Sequence, residues 1–166
     1  LAPPLTIGPA EFDEIEQILI HNKDNVVVID EAYVDFGGES AVKKKKKYDN
    51  LLVTQTFSKS RSLAGGRLGF GIASRELIAD LHTIRYSTNP YNVNSMTAAA
   101  GYGVLCDGEY TEKNCQIIME NREWTAAQLK KRGFELTDSK TNFIFAKHPR
   151  LDGEELYAAL KARGVL

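Results

Sequence analysis

Residues 56–70 read TFSKSRSLAGGRLGF and place one lysine, Lys59, among small hydroxyl-bearing residues and glycines, with Arg67 eight positions further on. A lysine amine that is partly desolvated, or that sits beside a second cation, is a usable nucleophile toward a carbonyl carbon. Arg67 carries a permanent charge in a planar fork that can grip a phosphate through two parallel hydrogen bonds. Thr56, Ser58 and the backbone around Gly65-Gly66 add neutral donors without bulk. An aldehyde that carries a phosphate is the ligand these groups share.

Pyridoxal phosphate is such a ligand. Its ring nitrogen works as an electron sink when held protonated, and a carboxylate such as Asp30 can hold it so. Asp30 ends the run Val26-Val27-Val28-Ile29, and Tyr33 follows three residues later, in reach of the ring's phenolic oxygen. From spacing alone a plainer reading stays open, in which Asp30 caps a turn, Tyr33 packs, and Lys59 and Arg67 are solvated. Other chemistries find no support. GFGIAS and GYGVLC, residues 69–74 and 101–106, have the first two glycines of a dinucleotide fingerprint but neither opens a strand-turn-helix with the third. There is no P-loop, no Gly-x-Ser-x-Gly elbow and no His-Glu-x-x-His, and His21, His82 and His148 are isolated, which argues against hydrolase and metalloenzyme readings.

The elements that must position these groups follow from periodicity. Pro9 suits a first helical position, and Phe12, Ile15, Ile18 and Leu19 recur at helical spacing. The apolar runs Val26–Ile29, Leu51–Val53 and Leu68–Ala73 predict strands covered on both faces, hence a sheet between helices. Asp30 and Lys59 then fall just past strand ends, where α/β sheets bind ligands. Ser74 caps a helix through about Ile84 with Leu77, Ile78 and Leu81 inward. The segment STNPYNVNS breaks the pattern, and small residues allow a closely packed helix over 95–106. Tyr110, Ile117 and Trp124 repeat every seven residues along a long helix over 109–132 that Gly133 stops. Strands over 134–136 and 142–146 and a final helix capped at Asp152 complete an α, β, β, α unit.

The bulk of the chain sets limits. Its 166 residues are 43% hydrophobic and carry a net charge of −1, so no overall field draws it to nucleic acid or to an anionic membrane. The five consecutive lysines Lys43 to Lys47 lack interleaved aromatics and read as a solvated loop or helix end. No run reaches the roughly 20 apolar residues of a membrane helix, and Leu1 to Pro4 lack signal-peptide character, so a cytoplasmic location is expected. Cys106 and Cys115 lie too far apart for a CxxC pair and read as ordinary reduced thiols.

VVVIDEAYVDF, then NLLVTQTFSKSRSLAGGRLGF, then NPYNVNS, together resemble the central part of histidinol-phosphate aminotransferases, pyridoxal-phosphate enzymes of the aspartate aminotransferase fold. The resemblance runs from the helix at Pro9 to the last residues. It implies an α/β fold: part of a three-layer large domain with a mostly parallel sheet between helices, over 1–108, and part of a small α+β C-terminal domain, over 109–166. It implies that Lys59 bonds the cofactor and moves the proton between the substrate's α-carbon and the cofactor. Asp30 holds the ring nitrogen, Tyr33 meets the phenolic oxygen, and Thr56, Ser58 and Arg67 bind the phosphate. The turn Tyr91-Asn92 is expected near the interface of a homodimer. The implied reaction moves an amino group between histidinol phosphate and 2-oxoglutarate, a small-molecule donor and a 2-oxo acid acceptor. Aromatic amino acid aminotransferases and threonine-phosphate decarboxylases share the same motif.

Members of that family are about twice this length. Their first half supplies the aromatic residue that stacks on the cofactor ring and a phosphate-binding loop, and their Asn-Pro-x-x-Pro-Thr-Gly segment stands where this chain has LAPPLTIGP. Beyond ALKARGVL they carry an arginine that binds substrate. The chain is therefore expected to be the middle of an aminotransferase, inactive or nearly so by itself. A truncated, non-catalytic α/β module is the contrasting expectation.

Overall fold

The computed structural model describes residues 11–44 and 46–165. The expected helix start at Pro9, the segment LAPPLTIGP, the side chain of Phe12 and Lys45 of the lysine run lie outside the described residues.

Helix α1 (Glu11–His21) buries Ile15 and Leu19, four residues apart on one face, against Leu51 and Val53. Ile18, expected on that face, is exposed instead. Strand β1 (Val27–Asp30) pairs in parallel with β2 (Leu51–Thr56), Val27 opposite Leu51 and Asp30 opposite Thr54. Strand β3 (Gly69–Ile72) pairs with β2 antiparallel, Val53 opposite Ile72 and Thr56 opposite Gly69. The expected mostly parallel sheet is, over these three strands, one parallel and one antiparallel pairing in the order β1-β2-β3. Asn50 ties the start of β2 to the end of α1: its side-chain amide donates to the carbonyls of Leu19 (3.1 Å), Asn22 (3.0 Å) and Asn25 (3.3 Å).

Only β2 has the burial that its composition predicts, with Leu51, Leu52 and Val53 enclosed. Fully burying a leucine or valine contributes about 2 kcal/mol. Strand β1 alternates between partial burial and exposure, and Val28 keeps 55% of its surface. A strand with apolar side chains on both faces needs a layer on each. Among the described residues, only one is covered.

The crossover from β1 to β2 runs through two single 3₁₀ turns, 34–36 and 41–44. The buried carboxylate of Glu31 anchors it, accepting hydrogen bonds from Ser40 Oγ (2.8 Å), Ala41 N–H (2.6 Å) and Gln55 Nε2 (2.9 Å). Of the lysine run that begins in this segment, Lys43, Lys44 and Lys47 are engaged rather than idle. Lys44 and Lys47 both pair with Glu16 on α1, which also accepts the Tyr48 hydroxyl, while Lys43 pairs with Glu39. Hydrogen bonds from Lys44, then Lys47, then Tyr48 hold the Glu16 carboxyl down at about 2, against an ordinary 4.5. A carboxyl depressed on folding stabilises the fold above its ordinary value and loses that contribution as pH falls through the folded one. Acid unfolding followed by circular dichroism is therefore expected to show, between pH 4.5 and about 2, a loss of stability in the wild type that Glu16→Gln lacks. Superimposable curves would remove Glu16 as the anchor of this segment.

Helix α2 (Arg75–Thr88) starts as expected at Ser74, whose Oγ accepts the Leu77 N–H, but continues four residues past Ile84. Leu77 and Ile78 are half-buried and Leu81 is exposed. Helices α3 (Ser95–Cys106) and α4 (Gly108–Lys131) are capped by Asn94 and Asp107. The expected stripe of α4 is not a core face, since Tyr110, Ile117 and Trp124 are all exposed. The buried contact of α4 is instead Cys115. Gly133, at φ 86°, ends the helix in the left-handed region that a residue with a Cβ adopts only under strain.

The strands expected over 134–136 and 142–146 contract to β4 (Glu135–Leu136) and β5 (Ala146–Lys147), paired antiparallel. Thr141 is the reason. It is fully buried, its Oγ1 bonds the Phe143 carbonyl (3.1 Å) and accepts the Phe143 N–H (3.2 Å), and Ser139 Oγ lies 2.9 Å from it. Local side-chain bonding of this kind competes with ladder pairing. Helix α5 (Gly153–Lys161) follows, with Asp152 accepting the N–H groups of Glu154 (2.9 Å) and Glu155 (3.2 Å). None of the helices among the described residues is long and apolar enough to cross a membrane.

Candidate active site

The parallel pairing brings the C-terminal ends of β1 and β2 to one edge of the sheet. Asp30 stands there opposite Thr54, and the chain leaving β2 carries Thr56, Ser58 and Lys59 over the same edge. Asp30, Thr56, Ser58, Lys59 and Arg67 line one open depression of about 400 Å³. Five of the six residues singled out from the sequence thus converge. Tyr33 stands beside the depression rather than in its wall, with the Lys59 ammonium 5.5 Å from its ring centroid. The same ring meets Phe143 in a T-shaped contact with centroids 5.5 Å apart, so the turn organised by Thr141 reaches the candidate site.

A compact loop holds these groups out. Its ends are joined by Phe57 N–H to the Leu68 carbonyl (3.0 Å), and inside it Leu63 N–H bonds the Phe57 carbonyl (2.9 Å) and Ser62 N–H the Lys59 carbonyl (3.2 Å). Ser62 (φ 52°) and Arg67 (φ 50°) are both left-handed, a conformation that costs a residue with a Cβ about 1–2 kcal/mol. Such strain collects where a site over-determines the backbone. Thr56 Oγ1 donates to Ser58 Oγ (2.9 Å) and accepts the Ser58 N–H (3.1 Å), which gathers two hydroxyls and an amide at the end of β2.

Two reactive ends are left uncommitted by the protein. Asp30 Oδ1 accepts the Ala32 N–H (3.1 Å), and among the described residues the carboxylate has no other partner. Lys59 Nζ makes neither a hydrogen bond nor an ion pair among them. Among them the Arg67 guanidinium donates only to the Ala64 carbonyl (3.3 Å). An amine, a carboxylate, a guanidinium and two hydroxyls on one depression fit an aldehyde that carries a phosphate and a basic ring nitrogen.

Sequence reasoning missed three residues behind the site. Asp35 Oδ2 pairs with the Arg61 guanidinium (3.0 Å) and accepts the Ser60 hydroxyl, and Arg61 also donates to the Thr56 carbonyl (3.3 Å). Their separation in sequence, 25 positions for Asp35 and Ser60, gives no periodic signal. Cys115 is buried close to this pair. Burial pushes its thiol up, which keeps it protonated and inert, as expected of an ordinary thiol.

Two glycines admit close approaches that the site needs. A Cβ on Gly101 of α3 would lie 2.4 Å from Leu68 Cδ2, so this helix packs directly on the closing residue of the loop. A Cβ on Gly69 would lie 2.9 Å from the Gln55 carbonyl oxygen, a backbone atom that cannot turn away. Gly69→Ala must push β3 off β2 at Thr56, and overpacking of this kind costs about 1–3 kcal/mol. Urea unfolding is expected to show that loss, and an unchanged midpoint would mean that the strand end gives way freely.

Residues 10–166 match the sequence model described as aminotransferase class I and II. The chain belongs to that family, and its architecture is a partial aminotransferase fold of α/β type. Within the family, the chain is 51% identical over 156 residues to the histidinol-phosphate aminotransferase of Brachyspira hyodysenteriae, a match covering 93% of this chain and 44% of that protein. The crystal structure of the histidinol-phosphate aminotransferase from Clostridium acetobutylicum superposes with a TM-score of 0.84 at 27% identity, over 96% of this chain and 48% of that one. The Sinorhizobium meliloti histidinol-phosphate aminotransferase, solved in complex with pyridoxal-5'-phosphate, shares the fold at a TM-score of 0.76 and 21% identity, over 91% and 43%. The chain thus spans less than half the length of the relatives it matches.

Proposed function

We propose that this chain is the cofactor-holding segment of a pyridoxal-phosphate-dependent aminotransferase that moves an amino group between histidinol phosphate and 2-oxoglutarate. The observation that carries the reading is the convergence of Lys59, Asp30 and Arg67 on one depression, with Thr56 and Ser58 in its wall. The 51% identity to a histidinol-phosphate aminotransferase supports the choice of substrate. The cofactor, when bound, supplies an electron sink that stabilises negative charge at the substrate's α-carbon.

The protein's own groups do the rest. Arg67, Thr56 and Ser58 bind the phosphate and so fix the register of the ring. Asp30 would hold a proton at the ring nitrogen, and Tyr33 would meet the phenolic oxygen. Lys59 would hold the cofactor by its aldehyde, and its Nζ would carry the proton taken from the substrate's α-carbon. In this reading residues 1–108 form the cofactor-proximal part of the large domain and residues 109–166 a connector helix with part of the small one. The enzyme works in the cytoplasm as a homodimer, with the exposed turn at Tyr91 toward the partner subunit.

The assay is direct. Attack of the Lys59 amine on the aldehyde carbon expels water and forms a C=N bond, and borohydride adds hydride to that carbon and leaves a stable secondary amine. Peptide mass after incubation with pyridoxal phosphate and reduction is expected to place the label on Lys59. Label spread over surface lysines in the folded protein would sink the assignment.

A further inference from the structure

We propose that Arg61 and Asp35 are positioning residues that lock the two halves of the cofactor site together, an inference that rests on the reading above. The site is assembled from two pieces of chain whose last backbone hydrogen bond to each other, among the described residues, is that of Glu31 N–H to the Thr54 carbonyl (2.8 Å). Asp30 ends β1 and Tyr33 follows on the segment after it, and Lys59 leaves on the loop after β2. The residues directly following each piece meet behind it. Asp35, two residues after Tyr33, takes both the Ser60 hydroxyl and the Arg61 guanidinium on one carboxylate oxygen, and Ser60 and Arg61 are the two residues after Lys59.

The geometry of Arg61 fits a clamp better than a surface charge. Its side chain is only 15% exposed, and its guanidinium lies 5.5 Å from the Phe57 ring centroid and 5.7 Å from that of Phe70. The Thr56 carbonyl takes one further hydrogen bond (3.3 Å), so Arg61 touches β2, β3 and the segment after β1 at once. A planar, permanently charged group can stack on rings and bond a carboxylate in its plane together, which an ammonium cannot. A half-buried pair of this kind adds little net stability but penalises any arrangement that separates it. Here separation would swing Lys59 away from Tyr33 and Asp30.

Positioning and simple burial differ in what they do to the Lys59 amine, and the full chain allows them to be compared. Capture of pyridoxal phosphate on Lys59, read by peptide mass after borohydride, is measured beside acetylation of the same amine by acetic anhydride, a small reagent with no demand on geometry. In Asp35→Asn, capture is expected to fall about tenfold, since misplacing a reacting group by a fraction of an ångström to one ångström costs that much or more. Acetylation of Lys59 is expected to stay within about twofold, because the amine remains in water. Equal capture by wild type and variant overturns the proposal. So does a matched fall in capture and acetylation, which would mean that the amine had been hidden rather than misplaced. If Asp35→Asn loses its circular dichroism, Ser60→Ala decides, with an expected loss of about tenfold for one hydrogen bond to a carboxylate and an unchanged capture as the overturning result. Wild type without label on Lys59 overturns the cofactor reading and this inference with it, whereas label in wild type and equal label in the variants overturns the inference alone.

Discussion

Lys59→Ala, in a polypeptide of family length that contains this chain, is expected to lose about 10³-fold in turnover of histidinol phosphate with 2-oxoglutarate, the middle of the range for removing a positioned acid-base group. The size follows from what the side chain does. Its amine makes neither a hydrogen bond nor an ion pair among the described residues and stands 5.5 Å from the Tyr33 ring centroid, on the same depression as Asp30 and Arg67. Among the described residues that line the depression it is the one basic nitrogen able to give up a proton, since a guanidinium stays charged at any working pH. Lys59→Arg is for that reason expected to be as inactive as alanine, although it keeps the charge. Cofactor affinity is expected to fall less, about tenfold, because in the proposed reading Arg67 would still bind the phosphate through a charge-assisted contact. Steady-state kinetics with a spectroscopic binding titration separates the two effects. An alanine variant within tenfold of wild type would place the proton transfer on another residue.

Much of this arrangement was legible in the sequence because it is local. An apolar run that stops at Asp30, a second that stops before TFSK, and the rule that ligands sit past strand ends are enough to bring Asp30, Thr56, Ser58, Lys59 and Arg67 together. The helix starts at Ser74 and Asp152 were legible for the same reason, since a cap is a side chain bonding its own first turn. What was not legible is long-range. Asp35, Ser60 and Arg61 form their network across a separation that no period marks, and the use of Lys44 and Lys47 by Glu16 spans 28 and 31 positions.

The expectation of strands covered on both faces failed in an informative way. Composition records that Val28 is suited to burial but not which polypeptide buries it, and the described residues leave more than half of its surface open. The exposed stripe of Tyr110, Ile117 and Trp124 has the same meaning for α4. The strand expected over 142–146 failed for a different reason, because the bonds of Thr141 with Ser139 and Phe143 outcompete pairing at its start. That failure has a functional side, since the same turn places Phe143 on Tyr33.

Asp30→Asn is expected to cost about 10²-fold in turnover with almost no change in thermal midpoint, the separation that a purely electrostatic role demands. A hydrogen bond to a charged partner contributes about 1.5–3 kcal/mol, and the upper end of that range corresponds to about 10²-fold in rate. Asparagine keeps the shape of the side chain and an oxygen for the Ala32 N–H, the one hydrogen bond that the Asp30 carboxylate makes among the described residues, so the turn after β1 has no reason to change. What it loses is the negative charge that, in the proposed reading, would hold a proton at the ring nitrogen. Asp30→Glu restores the charge but moves it by one methylene, and a displacement of about 1 Å can itself cost 10²-fold, so rescue is expected to be slight. Turnover and thermal unfolding measured on the three proteins decide the matter. If Asp30→Asn stays within threefold of wild type, the carboxylate is only a turn cap, and the plainer reading of Asp30 that spacing alone left open is the right one.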